Sequence, residues 1–105
     1  MEFVETPVFT GLITEALDDD EYRALQAALV LRPEQGNLIR GSRGLRKIRW
    51  SGRGRGKRGG LRVIYYWDPG RGTCYMLFVY RKSEQGDLTA SQVRTLARIV
   101  REEFS

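Results

Sequence analysis

The chain has 105 residues, 41% of them apolar, one cysteine and no histidine. That length suits one domain with one modest core, burying roughly 65% of the unfolded surface. The composition excludes a disordered chain, an internal disulfide and imidazole acid–base chemistry, and no apolar run approaches a membrane span. With acids and no basic run at its start, the chain is expected to carry no secretory signal and to work in the cytoplasm.

The net charge of +5 is unevenly spread. Between Gln35 and Trp67 there is no acidic residue, while Arg40, Arg43, Arg46, Lys47, Arg49, Arg53, Arg55, Lys57, Arg58 and Arg62 are basic. Acids gather instead at Glu15 and Asp18–Glu21. Such segregation exceeds what solubility requires and points to a polyanionic partner.

In chain order, Phe3 and Val4 open a short strand, and Thr6-Pro7 reads as an N-cap with proline at the first helical position. Phe9, Leu12, Ile13, Ala16 and Leu17 then follow helical spacing. Asp18 caps a second helix whose first turn holds Asp19, Asp20 and Glu21, so this cluster reads as capping chemistry rather than a metal site. Tyr22, Leu25, Ala28 and Leu29 give its apolar face, and Arg32-Pro33 ends it. Three strands follow, Leu45–Trp50, Leu61–Trp67 and Thr73–Tyr80, the last two joined by the turn at Asp68–Gly72. The third is apolar on both faces and should be central. Thr89 and Gln92 form a capping box for a last helix with Val93, Leu96, Ala97, Val100 and Phe104 as its stripe. The order β-α-α-β-β-β-α predicts an α+β domain over residues 1–105, helices packed on a mainly antiparallel sheet.

The Gly/Arg segment from Ser51 to Gly60 misses the phosphate-binding P-loop pattern at Ser51 and Arg58 and sits between two strands. It reads as a hairpin loop whose glycines allow close backbone approach and whose Arg53, Arg55, Lys57 and Arg58 meet phosphates. Lys47 and Arg49, two apart on a strand, share a face; Arg62 opens the next strand, and Tyr80-Arg81-Lys82 closes the last. Antiparallel pairing gathers these cations into one patch. Arg46, Tyr80 and Arg81 join it as candidate RNA contacts, Tyr80 as a stacking ring or as core. Glu84 is the acid placed to pair with a cation there. Cys74 reads as a small buried apolar group, and neither a metal nor a cofactor is expected.

Taken together, Gly44–Arg49, Gly56–Tyr66, Tyr80–Glu84 and Asp87-Leu88-Thr89 resemble the RelE/ParE toxin superfamily, most closely its HigB-like branch. The resemblance implies a toxin of a type II toxin–antitoxin pair that cleaves messenger RNA in the ribosomal decoding site, held by a helix-turn-helix, HigA-like antitoxin. It implies catalytic roles for Lys47, Arg49, Arg62 and Lys82. Some RelE-type ribonucleases use a C-terminal tyrosine where this chain has residues around Leu88. Lys47 or Lys82, crowded by cations, is then the candidate base or acid, and Arg49 and Arg62 suit the phosphorane oxygens. Two other functions use the same surface: a ParE-like inhibitor of DNA gyrase, and a non-catalytic RNA binder.

Overall fold

The computed structural model describes residues 1–51 and 60–104; Arg53, Arg55, Lys57 and Arg58 lie outside the described residues. Its elements are β1 (Glu2–Glu5), α1 (Pro7–Ala16), α2 (Asp19–Leu31), β2 (Asn37–Leu38), β3 (Leu45–Trp50), β4 (Leu61–Asp68), β5 (Thr73–Arg81) and α3 (Ala90–Ile99), the last running into a π-helical turn at Val100–Phe104. The predicted α+β order holds, with β2 as an added two-residue strand in the connection after α2. The sheet runs β1-β5-β4-β3-β2, antiparallel except for β1, which lies parallel to β5. The doubly apolar β5 is accordingly an inner strand, flanked by β1 and β4.

Local chemistry fixes the helices as the sequence suggests. The Thr6 hydroxyl accepts from Phe9 N at 3.0 Å and donates to Leu77 O at 3.0 Å, starting α1 and tying it to β5. Asp18 and Glu21 close a reciprocal capping box on α2, and Thr89 and Gln92 close another on α3. Two acids of the cluster, Asp18 and Glu21, thus satisfy backbone N–H groups at the start of α2, while Asp20 pairs with Arg23 at 3.1 Å.

The sheet separates two cores. Phe9, Ile13 and Leu17 of the first helical segment and Leu25 and Leu29 of α2 cover one face, packing on Ile48, Leu61, Val63, Tyr65, Cys74 and Met76. Leu96 and Val100 cover part of the other, over Leu45, Ile64, Tyr75, Leu77 and Tyr80. Two contacts seat the strands that carry the site. Tyr65, fully buried, donates its hydroxyl to Pro33 O at 2.7 Å and accepts from Gly36 N at 2.9 Å. Any side chain at Gly36 would collide with that ring, since a Cβ there would lie 2.8 Å from it. The second is a register shift between β4 and β5, where Ile64 pairs Phe78 and Tyr65 pairs Met76, leaving Leu77 as the extra residue. This bulge reverses side-chain alternation along β5, so Tyr80 lies in the same core as Tyr75 and Leu77.

Candidate functional site

Antiparallel register brings Arg49 of β3 opposite Arg62 of β4, and Arg62 opposite Tyr80 of β5. Lys47 is two residues from Arg49 and shares its face. Helix α3 and the π-helical turn after it cover the far end of that face, where Phe104 of the turn stacks on Tyr75 at 4.3 Å between ring centroids. The N-terminal approach to α3 stops beside Lys47 and Tyr80. There Asp87 Oδ1 accepts from Lys47 Nζ at 3.2 Å, from the Tyr80 hydroxyl at 3.3 Å and from Leu88 N at 2.8 Å. The loop is held by Gln85, whose Nε2 donates to Asp87 O and to Gln92 Oε1, both at 2.9 Å. Leu88 packs against the α3-side core.

Between this loop and β2 runs an open groove of about 500 Å³, bordered by Asn37 and Arg40 on one side, Lys47 and Arg49 on its floor, and Asp87 and Val93 on the other. Two arginines directly opposite on a sheet repel one another. Among the described residues neither Arg49 nor Arg62 has a carboxylate partner. The arginine pair is thus a concentration of positive charge with no carboxylate on it, and Arg49 extends it into the open groove. Burial pushes the Tyr80 phenol up to about 12, with the Asp87 carboxylate adding to the shift and Arg62 opposing it. Tyr80 therefore stays protonated at neutral pH, a hydrogen-bond donor. Asp87 is held below its ordinary carboxylate range, first by the Leu88 N–H and then by Lys47.

The other sequence candidates fall elsewhere. Arg46 projects from β3 toward the α1/α2 side, and its Nη1 donates to Glu34 O at 3.0 Å and Gly36 O at 2.9 Å, so it braces the loop before β2. The Tyr80 ring is only 5% exposed and packs in the core, which leaves its hydroxyl and not its face at the site. Arg81 pairs with Leu61 and borders a depression shared with Glu15 and Glu84, away from the arginine row. Lys82 is exposed, its backbone N–H bonded to Gly60 O at 3.1 Å, which continues the β4–β5 ladder by one residue. Leu88 is half-buried apolar packing.

The acid that pairs with the patch is Asp87, in place of the expected Glu84, which is exposed beside the β5 turn. Asp87 directly precedes the Leu88-Thr89 start of α3, a position where carboxylates commonly meet free N–H groups; that was its available signal. Asn37 was hidden because a two-residue strand has no periodicity, and Arg40, already counted among the cations, follows that strand. Cys74 is fully buried, and burial pushes its thiol up to about 12.

No protein-family model matches the chain. In three dimensions it is similar to the Escherichia coli toxin RelE, in the free state of a mutant with two arginines replaced by alanine. The TM-score is 0.60 at 17% identity, over 92% of this chain and 93% of that one. The chain therefore has the fold of a RelE-type toxin. Among the described residues, no helix is long and apolar enough to cross a membrane.

Proposed function

We propose that the chain is a type II toxin of the HigB-like branch, a ribosome-dependent endoribonuclease that cuts messenger RNA in the decoding site. The observation that carries this reading is the arginine pair, Arg49 facing Arg62 beside Lys47 with no carboxylate on either guanidinium among the described residues. Such a pair costs stability in the free protein, and a phosphate relieves it.

In the reaction the ribose 2′-oxygen attacks the adjacent phosphorus, the bond to the 5′-oxygen breaks, and the products are a 2′,3′-cyclic phosphate and a 5′-hydroxyl. Arg49 and Arg62 bind the non-bridging oxygens as negative charge builds on the phosphorane. Lys47 is assigned as donor to the departing 5′-oxygen. Lys82, exposed in the turn directly after β5, is assigned to the 2′-hydroxyl proton. A lysine takes up that proton only as its neutral amine, and the chain has no histidine, so the rate must come from alignment, which the ribosome supplies by holding the strand. The cations of the 53–58 segment are assigned to flanking phosphates, and an antitoxin with a helix-turn-helix fold restrains the toxin.

The test is to incubate programmed ribosomes with the protein and map RNA ends, beside naked RNA and a gyrase supercoiling assay. Cleavage of translated message with little on naked RNA is expected. Rapid site-specific cleavage of purified RNA without ribosomes refutes ribosome dependence, and gyrase inhibition without RNA cleavage replaces the reading with the ParE-like one.

A further inference from the structure

A carboxylate is out of place in a surface that binds phosphates. Asp87 lowers the positive charge of the row and would repel an incoming phosphodiester, yet it is built in with care. Its backbone is fixed by the Gln85–Gln92 bridge, and its Oδ1 is fixed by Leu88 N, Lys47 and Tyr80. All three side-chain hydrogen bonds fall on Oδ1; among the described residues Oδ2 receives none, and the side chain is 72% exposed beside the groove. The arrangement presents one fixed, acceptor-only oxygen next to the cations. A phosphate has no donor to give it. A ribose 2′-hydroxyl does, and the nucleotide on the 5′-oxygen side of the phosphate, beside Lys47, carries one that is distinct from the attacking hydroxyl.

We infer that Asp87 is the residue by which this site distinguishes RNA from DNA, its Oδ2 accepting a hydrogen bond from the 2′-hydroxyl of the bound strand. The inference rests on the reading of the row as a phosphate site, but it concerns binding and involves no cleavage step. The repulsion that Asp87 imposes on any phosphodiester is outweighed only where a 2′-hydroxyl is present, so its effect on RNA and on DNA differs in sign.

The experiment measures, by fluorescence anisotropy at fixed low salt, the affinities of a short single-stranded RNA and of the uracil-containing DNA of the same sequence. The wild-type chain is compared with Asp87→Ala and with Glu84→Ala, which makes the same charge change away from the row. Wild type should prefer RNA about tenfold, the size of a hydrogen bond to a charged acceptor. In Asp87→Ala the DNA should bind more tightly and the preference should fall to near unity. Glu84→Ala should raise both affinities alike and keep the preference. If Asp87→Ala does not fold, Asp87→Asn serves: it keeps an acceptor for Leu88 N while turning the second oxygen into a donor, and should lose the preference equally. An RNA preference that survives at Asp87 variants, or its absence in wild type, overturns the inference. Ribosomal cleavage by wild type with an unchanged preference in the variants sinks this inference alone; an Asp87-dependent preference without ribosomal cleavage sinks the nuclease reading alone.

Discussion

Replacing Arg62 with methionine should make the protein more stable and less active at once. Methionine keeps the length and apolar stem of the side chain, which is half-buried on β4, while removing one of two like charges set directly opposite each other. Like-charged cross-strand pairs cost about 0.2–1 kcal/mol, and exposure of Arg49 places this pair toward the middle of that range, about 0.5 kcal/mol. For a domain of this size that is an upward shift of roughly 2–4 °C in melting temperature. The gain should fade in salt, because the screening length falls from about 10 Å at 0.1 M to about 3 Å at 1 M. Cleavage on ribosomes should meanwhile drop on the order of 10²-fold, as when one oxyanion donor is removed. Thermal melts at low and high salt, with RNA end-mapping on the same preparations, measure all of this. A variant that melts below wild type at low salt refutes the repulsion argument, and unchanged cleavage removes Arg62 from the site.

Four further outcomes are expected. Lys47→Ala should abolish cleavage while leaving the circular dichroism spectrum intact, since Lys47 lies on the sheet's solvent-accessible groove; equal activity would remove it from the site. Tyr65→Phe should destabilise by about 1–3 kcal/mol, because it orphans the buried Gly36 N–H, read as a lower urea midpoint with unchanged slope. Asp87 has a depressed carboxyl, so its stabilising contribution is present above its ordinary value of 3.8 and disappears as pH falls below it; the urea midpoints of wild type and Asp87→Asn should converge between pH 5 and pH 2.5, pH values chosen to span about that range. Antitoxin affinity should weaken more on charge reversal at Asp19 and Asp20, exposed in the first turn of α2, than at Arg55 and Arg58 if a basic partner docks on the helical side; loss at the arginines alone means the partner covers the site directly.

The helices were legible because their signals are local. Thr6-Pro7, Asp18…Glu21 and Thr89…Gln92 each specify a cap within four residues, and each cap is present. The three long strands were equally plain from their apolar runs and the Asp68–Gly72 turn. What alternation could not give was the face of Tyr80: counting by twos from Cys74 puts it under α1 and α2, and the bulge at Leu77 turns it to the opposite side. Arg46 was misplaced for a different reason. It is one residue from Lys47 and therefore on the other face, where the carbonyls of Glu34 and Gly36 claim it; composition groups the two, and the pleat divides them. Asp87 escaped notice because its partners Lys47 and Tyr80 are 40 and 7 residues away, and only the folded loop unites them.

The parallel pairing of β1 with β5 also constrains how the molecule is made. The Thr6 hydroxyl bonds to a carbonyl 71 residues farther along the chain, and Phe3 is in register with Cys74. Among the described residues every other strand pairing joins sequence neighbours, so this one closes the largest loop. Its entropic cost grows only as the logarithm of its length, but it makes no contact until β5 has been synthesised. A chain emerging from the ribosome N-terminus first must therefore keep β1 and the α1 face waiting, with Phe9 and Ile13 lacking the sheet they will cover. The strand that completes that surface, β5, also delivers Tyr80 to the arginine row. Maturation of the core and assembly of the site are consequently one late event, and a nascent chain truncated before β5 should have neither.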